Sequence, residues 1–420
     1  MKKFREGYLF FCLVLFFFGC NKVDGVPQGN KMGEQECVVT QKIDIPIAEV
    51  PEKPTEGNDV LSEEVILKNV YTLVEQKNYP MAMSILLKNP NTPQIKKLLE
   101  ELQYLMSGEY ILNLGYGSFA AVNKEGNVVF RLYDDQRFGD KEKMTTFQNG
   151  KSLHETISGD VAVLGWDGSM VTTQIETGHY ANDRMVTWVE QWKKDVSLPK
   201  ITHLDIAGNS FLVQDESGGL YYFDQNGNLE ADITKKIEKM TDIVDMEICR
   251  EGIVVLCSDG TVEYVGDTEG GSVLPSSKSA FLKTINGWTD IVDIDSLIGD
   301  FVAGLKADGT VVVSDNWVGE ASFHDVKNWT DIIAISVGFQ SIMGLKRDGT
   351  VVYSGHVTEA QKTASEWNDI VAVSASFQSC LGLKADGTLV IAGEGPKGQT
   401  IPDLSEYKEL YVPMMESLEE

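Results

Sequence analysis

Apolar and polar positions divide the chain into four stretches of different rhythm. Lys2, Lys3 and Arg5 precede an almost wholly apolar run, Tyr8 to Phe18, that ends at Gly19-Cys20. About a dozen apolar residues are too few to span a bilayer comfortably and match the core of an export signal. From Cys20 to about Asn58 the pattern is polar and broken by Pro27, Pro46, Pro51, Pro54 and several glycines. That composition predicts a tether with a root-mean-square reach of roughly 35 Å. Over 60–77, Leu61, Val65, Ile66, Val70, Leu73 and Val74 recur at helical spacing. Asn78-Tyr79-Pro80 interrupts it, and Met81 to Leu87 gives a second short helix. Thr92-Pro93 starts a third, with an apolar face of Ile95, Leu98, Leu99, Leu102, Leu105 and Met106 and a stop at Gly108. These helices read as a cap on one end of the next domain. A single copy of NYPMAMSIL, faintly like half a tetratricopeptide repeat, is too little for a peptide-binding array.

From 108 onward the rhythm is that of strands, and it repeats. SDGTVEYVG, KADGTVVVSD, KRDGTVVYSG and KADGTLVIAG carry Asp259, Asp308, Asp348 and Asp386; weaker copies surround Glu125, Asp167 and Ser217. The successive intervals are 42, 50, 42, 49, 40 and 38 residues. A second phrase precedes most copies: MTDIVDM, WTDIVDI, WTDIIAI and WNDIVAV, from Met240, Trp288, Trp329 and Trp367, with degenerate copies near 201 and 407. Asp-Gly between β-branched runs predicts a hairpin with positive φ at its centre, and Asp-Ile-Val-x-Ile predicts another strand. The 313 residues from 108 to 420 give about 45 per unit over seven units, the length of a four-stranded propeller blade. One blade cannot bury its faces alone, so the ring is the folding unit. The last copy, YKELYV, predicts that the C-terminal end closes the ring on the first blade.

These two phrases resemble the regulator of chromosome condensation repeat family. The resemblance is strong in the last four units and weaker in the first three. It implies an all-β fold, a seven-bladed β-propeller, here with a small N-terminal α-helical module. Bacterial members place a His just before the Gly-Leu-Lys strand. Phe301, Ser341 and Ser379 occupy those places here, so no His-based site at the ring centre carries over. At the N-terminus, Phe17-Phe18-Gly19-Cys20 resembles the bacterial lipoprotein cleavage box, with Phe17 where Leu is usual. That resemblance implies a diacylated Cys20 and a chain anchored at the extracytoplasmic face of the cell membrane. The expected organisation is signal peptide 1–19, tether 20–58, helical module 59–107 and propeller 108–420.

Charge narrows the partners. Sixty-three acidic against 36 basic residues leave a net −27. That argues against neutralising nucleic-acid phosphates and against adhesion to anionic lipid by charge alone. The six Cys contain no CxxC, so no zinc or thioredoxin-like motif is present. Cys249 and Cys257 are compatible with a disulfide or with two free thiols. Cys380 reads as a core residue and Cys37 as a free thiol.

Candidate chemistry is sparse. His154, His179, His203, His324 and His356 form no short-range motif, and no nucleophile elbow or phosphate loop is visible. The recurring Asp residues suggest a carboxylate pair for glycan hydrolysis, but each has a structural task in a turn or strand start. Trp288, Trp329 and Trp367 recur with the repeat and read as packing residues. The residues that break the repeat carry more information. GHYANDRMVTWVEQWKK, in the long interval between Asp167 and Ser217, brings His179, Tyr180, Trp188 and Trp192 beside Lys193 and Lys194. Trp188 and Trp192 share a face if the stretch is helical, and exposed aromatics beside charge are how interface anchors look. Trp317 is a second aromatic off the repeat, and Tyr133 to Phe138 is also off-pattern. No catalytic residue, metal or cofactor is assigned.

Three functions follow. The first is a monomeric, non-enzymatic binding module presenting loops to a protein or cell-envelope polymer. A sharper version follows from the resemblance: a secreted bacterial member of this fold inhibits β-lactamases through an aromatic-rich rim. The second is a glycan-active hydrolase or lyase, which requires two non-repeat carboxylates or a His cluster converging at one mouth. The third, implied only by the resemblance to the family's eukaryotic namesake, is nucleotide exchange on a small GTPase; it ranks last because export removes the substrate and no exchange-loop motif is visible.

Overall fold

The computed structural model describes residues 62–413 except 90–91, 115–117, 132–147, 156–160, 173–199, 208–209, 224–228, 241, 250–251, 267–280, 297–300, 315–322, 377–378, 395–403, 405–406 and 409. All of them fall within the compact unit Val60–Glu420. The fold is mostly β. Seven three-stranded antiparallel sheets follow one another along the chain. Sheet 1 holds β1–β3 (Ile111–Asn113, Phe119–Val122, Val128–Arg131) and sheet 2 β4–β6 (Gly150–Glu155, Val161–Gly165, Met170–Thr172). Sheet 3 holds β7–β9 (Ile201–Ala207, Ser210–Asp215, Leu220–Phe223) and sheet 4 β10–β12 (Ile243–Cys249, Gly252–Cys257, Val262–Gly266). Sheet 5 holds β13–β15 (Ile291–Ser296, Val302–Lys306, Val311–Val313) and sheet 6 β16–β18 (Ile332–Gly338, Ser341–Lys346, Val351–Gly355). Sheet 7 holds β19–β21 (Ile370–Ala375, Ser379–Lys384, Leu389–Gly393). The first strand of each sheet touches that of the next, and β19 touches β1, so the circuit closes around a central space.

The same turn recurs in every sheet, built on Asp-Gly in five of them, on Glu125-Gly126 in sheet 1 and on Ser217-Gly218 in sheet 3. Positive φ falls on the glycine alone, between 75° and 83° at Gly126, Gly168, Gly218, Gly260, Gly309, Gly349 and Gly387. The residue before it stays at negative φ, so the turn is a type I turn closed by a left-handed glycine, not the two-residue hairpin with positive φ at both centres. The glycine carbonyl then faces the next sheet. Gly260 O accepts from Ile291 N at 3.1 Å, Gly309 O from Ile332 N at 3.0 Å and Gly349 O from Ile370 N at 3.1 Å. The expected fourth strand is missing from sheet 6, whose following residues are described throughout. Thr358 N–H donates to Gln361 Oε1 at 2.8 Å and Gln361 N–H to Thr358 Oγ1 at 3.2 Å, and a 3-10 turn, Gln361–Glu366, fills that place. This reciprocal pairing is a capping box, which favours a helical turn over a strand.

Closure joins the first sheet to residues 410 and 411. The first strands of sheets 2 to 7 each carry a bulge near their start, for example between Ile291 and Asp293. In sheet 1 the strand is divided at that point. Leu410 bridges Asn123, and Tyr411 N–H donates to Val122 O at 2.9 Å, ahead of Ile111 pairing with Ala121. Leu410 N–H also reaches Gly387 O of sheet 7 at 3.2 Å. The C-terminal residues thus supply the outer half of a strand whose inner half is β1.

Three helices, α1 (Glu63–Glu75), α2 (Tyr79–Leu87) and α3 (Pro93–Ser107), precede sheet 1. Thr92 caps α3 by accepting from Ile95 N at 3.2 Å, and Gly108 ends it at φ 67°. Val65 is exposed rather than on the buried face, and Leu67 takes its place. The helices share one apolar cluster with Val292, Leu305, Ala307, Trp329 and Ile332. α3 touches β13 and β16, Gln103 Nε2 donates to Val244 O of β10 at 2.9 Å, and Tyr104 OH donates to Lys151 O of β4 at 2.9 Å. Reached from four sheets, α3 lies across one end of the central space.

Candidate functional site

The residues singled out for binding, His179, Tyr180, Trp188, Trp192 and Trp317, lie outside the described residues, as do Cys20, Cys37 and Tyr133 to Phe138. The recurring residues can be placed. Each turn Asp is committed locally: Asp308 Oδ1 accepts from Thr310 N at 2.9 Å and Thr310 Oγ1 at 2.6 Å, and Asp259 and Asp348 do the same with Thr261 and Thr350. These hydrogen bonds from the threonines hold the Asp259 and Asp348 carboxyls below the ordinary range. Trp288, Trp329 and Trp367 cover a middle-strand glycine. A Cβ on Gly304, Gly344 or Gly382 would sit 3.1, 3.0 and 2.9 Å from the respective indole. Cys249 and Cys257 form no disulfide with each other. They lie at opposite ends of the β10–β11 hairpin, Cys249 opposite Gly252 and Cys257 opposite Ile243, about 20 Å apart along the strand, far beyond disulfide reach. Cys380 is buried, as expected of a core residue.

Carboxylates gather where none was assigned. Two successive slots on one side of the first strand hold Asp245 and Glu247 in β10 and Asp293 and Asp295 in β13. The same slots hold His203 and Asp205 in β7, Ala334 and Ser336 in β16, and Ala372 and Ser374 in β19. The second slot ties neighbouring sheets together. Asp205 Oδ2 accepts from Ile248 N at 2.7 Å, Asp295 Oδ2 from Val337 N at 2.7 Å, Ser336 Oγ from Ala375 N at 3.0 Å and Ser374 Oγ from Asn113 N at 3.0 Å. Glu109, just past the end of α3, joins the acidic group. Burial pushes its carboxyl up to about 7, with Asp245 and Asp205 adding to the rise and Lys151 opposing it. Burial, then mutual repulsion, also raises Glu247 and Asp293 well above the ordinary range. Asp205, from sheet 3, and Asp295, from sheet 5, feel each other across the space. Glu109, Glu247 and Asp293 therefore hold their protons to higher pH than an exposed carboxyl does.

Bases lie beside the acids. His154 and His203 sit on neighbouring first strands, where burial pushes them down to about 3 and about 4, so both are neutral. His154 Nε2 is 3.0 Å from Ser152 Oγ, and His203 Nε2 is buried without a partner. Lys151 Nζ donates to Thr202 O at 3.0 Å, lies 5.6 Å from the Trp166 ring centroid, and is lowered by burial against the pull of Glu109 and Glu100. Trp166 packs edge-on to Tyr104 at 5.0 Å yet is 47% exposed. Among the described residues no three His, Cys, Asp or Glu side chains come close enough together to hold a metal ion.

The slot before the turn Asp reads Lys124, Trp166, Glu216, Ser258, Ala307, Arg347 and Ala385. Ala307 is buried under the helices, while Trp166 and Arg347 stand where the helices meet sheets 2 and 6.

No family model and no curated protein sequence matches the chain. Solved structures do. The crinkly WD40 ectodomain of the Arabidopsis thaliana receptor kinase ACR4 is 13% identical over 71% of this chain and 99% of its own, with a TM-score of 0.43. The C-terminal domain of gp131 from bacteriophage phiKZ is 11% identical over 71% and 94%, with a TM-score of 0.40. Prp20p from Saccharomyces cerevisiae is 14% identical over 71% and 76%, with a TM-score of 0.34.

Proposed function

We propose that the chain is a lipoprotein carrying a seven-bladed β-propeller, held by a diacylated Cys20 at the extracytoplasmic face of a bacterial membrane. Its function is to bind a protein or cell-envelope polymer without chemistry. The observation that carries this is the commitment of the repeated carboxylates to turns, in a ring that residues 410–411 close against its first sheet. Such a ring is a rigid frame for the segments between third and first strands, and loops on rigid frames are where binding residues concentrate. The helices cover one end of the central space, which leaves the opposite rim for a partner, and the aromatic residues Trp188 and Trp192 are the candidates by sequence. The apolar leader with its Gly19-Cys20 ending and the polar tether support the anchored placement. A pull-down from envelope extract tests it, using the chain from 58 onward beside a Trp188→Ala, Trp192→Ala variant. Capture of one partner by the parent and its loss in the variant is the expected result; capture by neither sinks this function. The β-lactamase-inhibitor variant is tested by adding that enzyme to the same experiment.

One observation favours the second function, a glycan hydrolase or lyase. Carboxylates with raised proton affinity gather near the end of α3, and a paired acid and base is what such an enzyme uses. Turnover of envelope glycans that is lost in Asp293→Asn would establish it. No turnover by the parent would reject it.

A further inference from the structure

The described residues hold two Asn-Gly pairs, Asn149-Gly150 and Asn286-Gly287, and the fold treats them differently; a third, Asn226-Gly227, lies outside them. Asn before Gly is the pair most open to loss of its side-chain amide, because a residue without Cβ leaves its own backbone nitrogen uncrowded and free to approach the Asn Cγ. Asn149-Gly150 is clamped between sheets 1 and 2. Gly150 N–H donates to Gly126 O at 3.0 Å, and Asn149 O accepts from Trp166 N at 3.1 Å. Gly150 is buried, and its Cβ position is 2.8 Å from Val128 Cγ2. Asn149 is left-handed at φ 65°, as are Asp242, Asp290, Asp331 and Asp369 at the same place in sheets 4 to 7. Freeing the Gly150 nitrogen therefore means parting two sheets.

Asn286-Gly287 sits instead in a surface turn, and both residues are exposed. Trp288 N–H donates to the carbonyl of buried Ile285 at 3.0 Å, so the pair occupies the two middle positions. Its own amides make only short-range bonds, Asn286 N–H to Leu282 O at 3.1 Å and Gly287 N–H to Thr284 O at 3.2 Å. The same turn recurs without glycine. Met240 N–H donates to Ile237 O at 2.8 Å, Trp329 N–H to Val326 O at 2.9 Å and Trp367 N–H to Ala364 O at 3.1 Å, with Lys239, Asn328 and Glu366 in the slot of Gly287. A Cβ on Gly287 would meet Thr284 O at 3.5 Å and Lys283 O at 3.7 Å, which is ordinary contact, and its φ is not left-handed. The frame requires no glycine at 287.

We propose that Asn286 is a modification site, which loses its amide in the folded chain by cyclisation onto Gly287 while Asn149 keeps its own. The Gly287 nitrogen gives its proton to base and forms a bond to Asn286 Cγ; the Cγ–Nδ2 bond breaks and the amide nitrogen leaves as ammonia, taking a proton back. Water then opens the cyclic imide at one of its two carbonyls, which leaves Asp or the β-linked isomer of Asp. The sum is one water consumed and one ammonia released, with no change of oxidation state. The next residue is Trp288, whose indole covers Gly304. Asp leaves the backbone as it was, whereas the β-linked isomer adds a methylene to the main chain inside the turn that seats Trp288. The assignment is independent of the partner-binding function proposed above.

The test is incubation of the folded full chain at mildly alkaline pH, continued until a sample unfolded in urea has lost the amide at both pairs, followed by peptide mass spectrometry. In the folded chain the peptide holding Asn286 should show nitrogen replaced by oxygen ahead of the peptide holding Asn149. That conversion should be lost in Gly287→Ala, whose methyl crowds the attacking nitrogen. The thermal midpoint of Gly287→Ala before incubation should match the parent's, since three equivalent turns carry a side chain in that slot. Asn286 intact in the folded parent, Asn149 converting as fast as Asn286 or faster, or Gly287→Ala converting as fast as the parent, each overturns the proposal.

Discussion

Replacing Glu109 with Gln should stabilise the protein at pH 8 and leave it nearly unchanged at pH 4.5. Glu109 leaves α3 and enters a space that it shares with Asp205, Asp245, Glu247 and Asp293, with Lys151 as the cation opposing them. In the unfolded chain its carboxyl loses its proton near the ordinary 4.5, whereas in the folded ring it keeps it to about 7. Between those values the folded state binds the extra proton. The stability is therefore fully present below 4.5 and is lost as the pH rises through 7. Two and a half decades of proton binding, at about 1.4 kcal/mol each, correspond to about 3 kcal/mol of destabilisation above pH 7. Gln keeps the size and removes the titration. It also relieves Glu247 and Asp293 of a neighbouring charge, which acts in the same direction.

The assay is urea unfolding followed by tryptophan fluorescence at pH 4.5, 6.0 and 8.0. The unfolding free energy of the variant minus that of the parent should grow by about 3 kcal/mol across the series. A difference that stays constant with pH would show that Glu109 does not titrate inside the ring. A loss of stability at pH 8 would show that it forms an ion pair with Lys151 that outweighs the surrounding carboxylates. Either result refutes the reasoning.

Other substitutions probe the frame. Gly344→Ala places a methyl 3.0 Å from the Trp329 indole and 3.1 Å from Ile332 Cδ1, so overpacking should cost about 1–3 kcal/mol, read as a lowered thermal midpoint. Removing residues 404–420 takes away buried Leu404 and Leu410 and the bonds from Leu410 to Gly387 and from Tyr411 to Val122, so proteolysis should cut sheets 1 and 7 first. Alkylation without reduction should label both Cys249 and Cys257 once the chain is unfolded, and reductant should leave the thermal midpoint unchanged.

The repeat was legible because each of its letters does local work. Asp308, Gly309 and Thr310 form a turn from their own hydrogen bonds and φ preference, so the same letters give the same turn in sheets whose sequences otherwise diverge. Thr92 and Gly108 bounded α3 for the same reason. The missing fourth strand of sheet 6 is also written locally, in the Thr358–Gln361 capping box, whereas repeat length alone implies four strands. The acidic group was not legible in this way. Whether Asp245 and Asp293 point into the ring depends on a bulge near the start of each first strand, which shifts the alternation of sides, and an alternating pattern does not announce a bulge. That Glu109 belongs with them depends on α3 crossing the end of the ring, a tertiary fact. The contrast between equivalent slots is a signal present in the sequence itself. Asp293 and Asp295 stand where sheets 6 and 7 carry Ala334, Ser336, Ala372 and Ser374, and Trp166 and Arg347 stand where sheets 5 and 7 carry Ala307 and Ala385. Ala and Ser show what the frame requires at those slots, since Ser336 and Ser374 already make the bond between sheets that Asp205 and Asp295 make. A carboxylate there adds charge that the bond does not need, at the stability cost worked out for Glu109. In a repeat protein such excess over the frame's requirement is the physical mark of a position shaped by something other than folding.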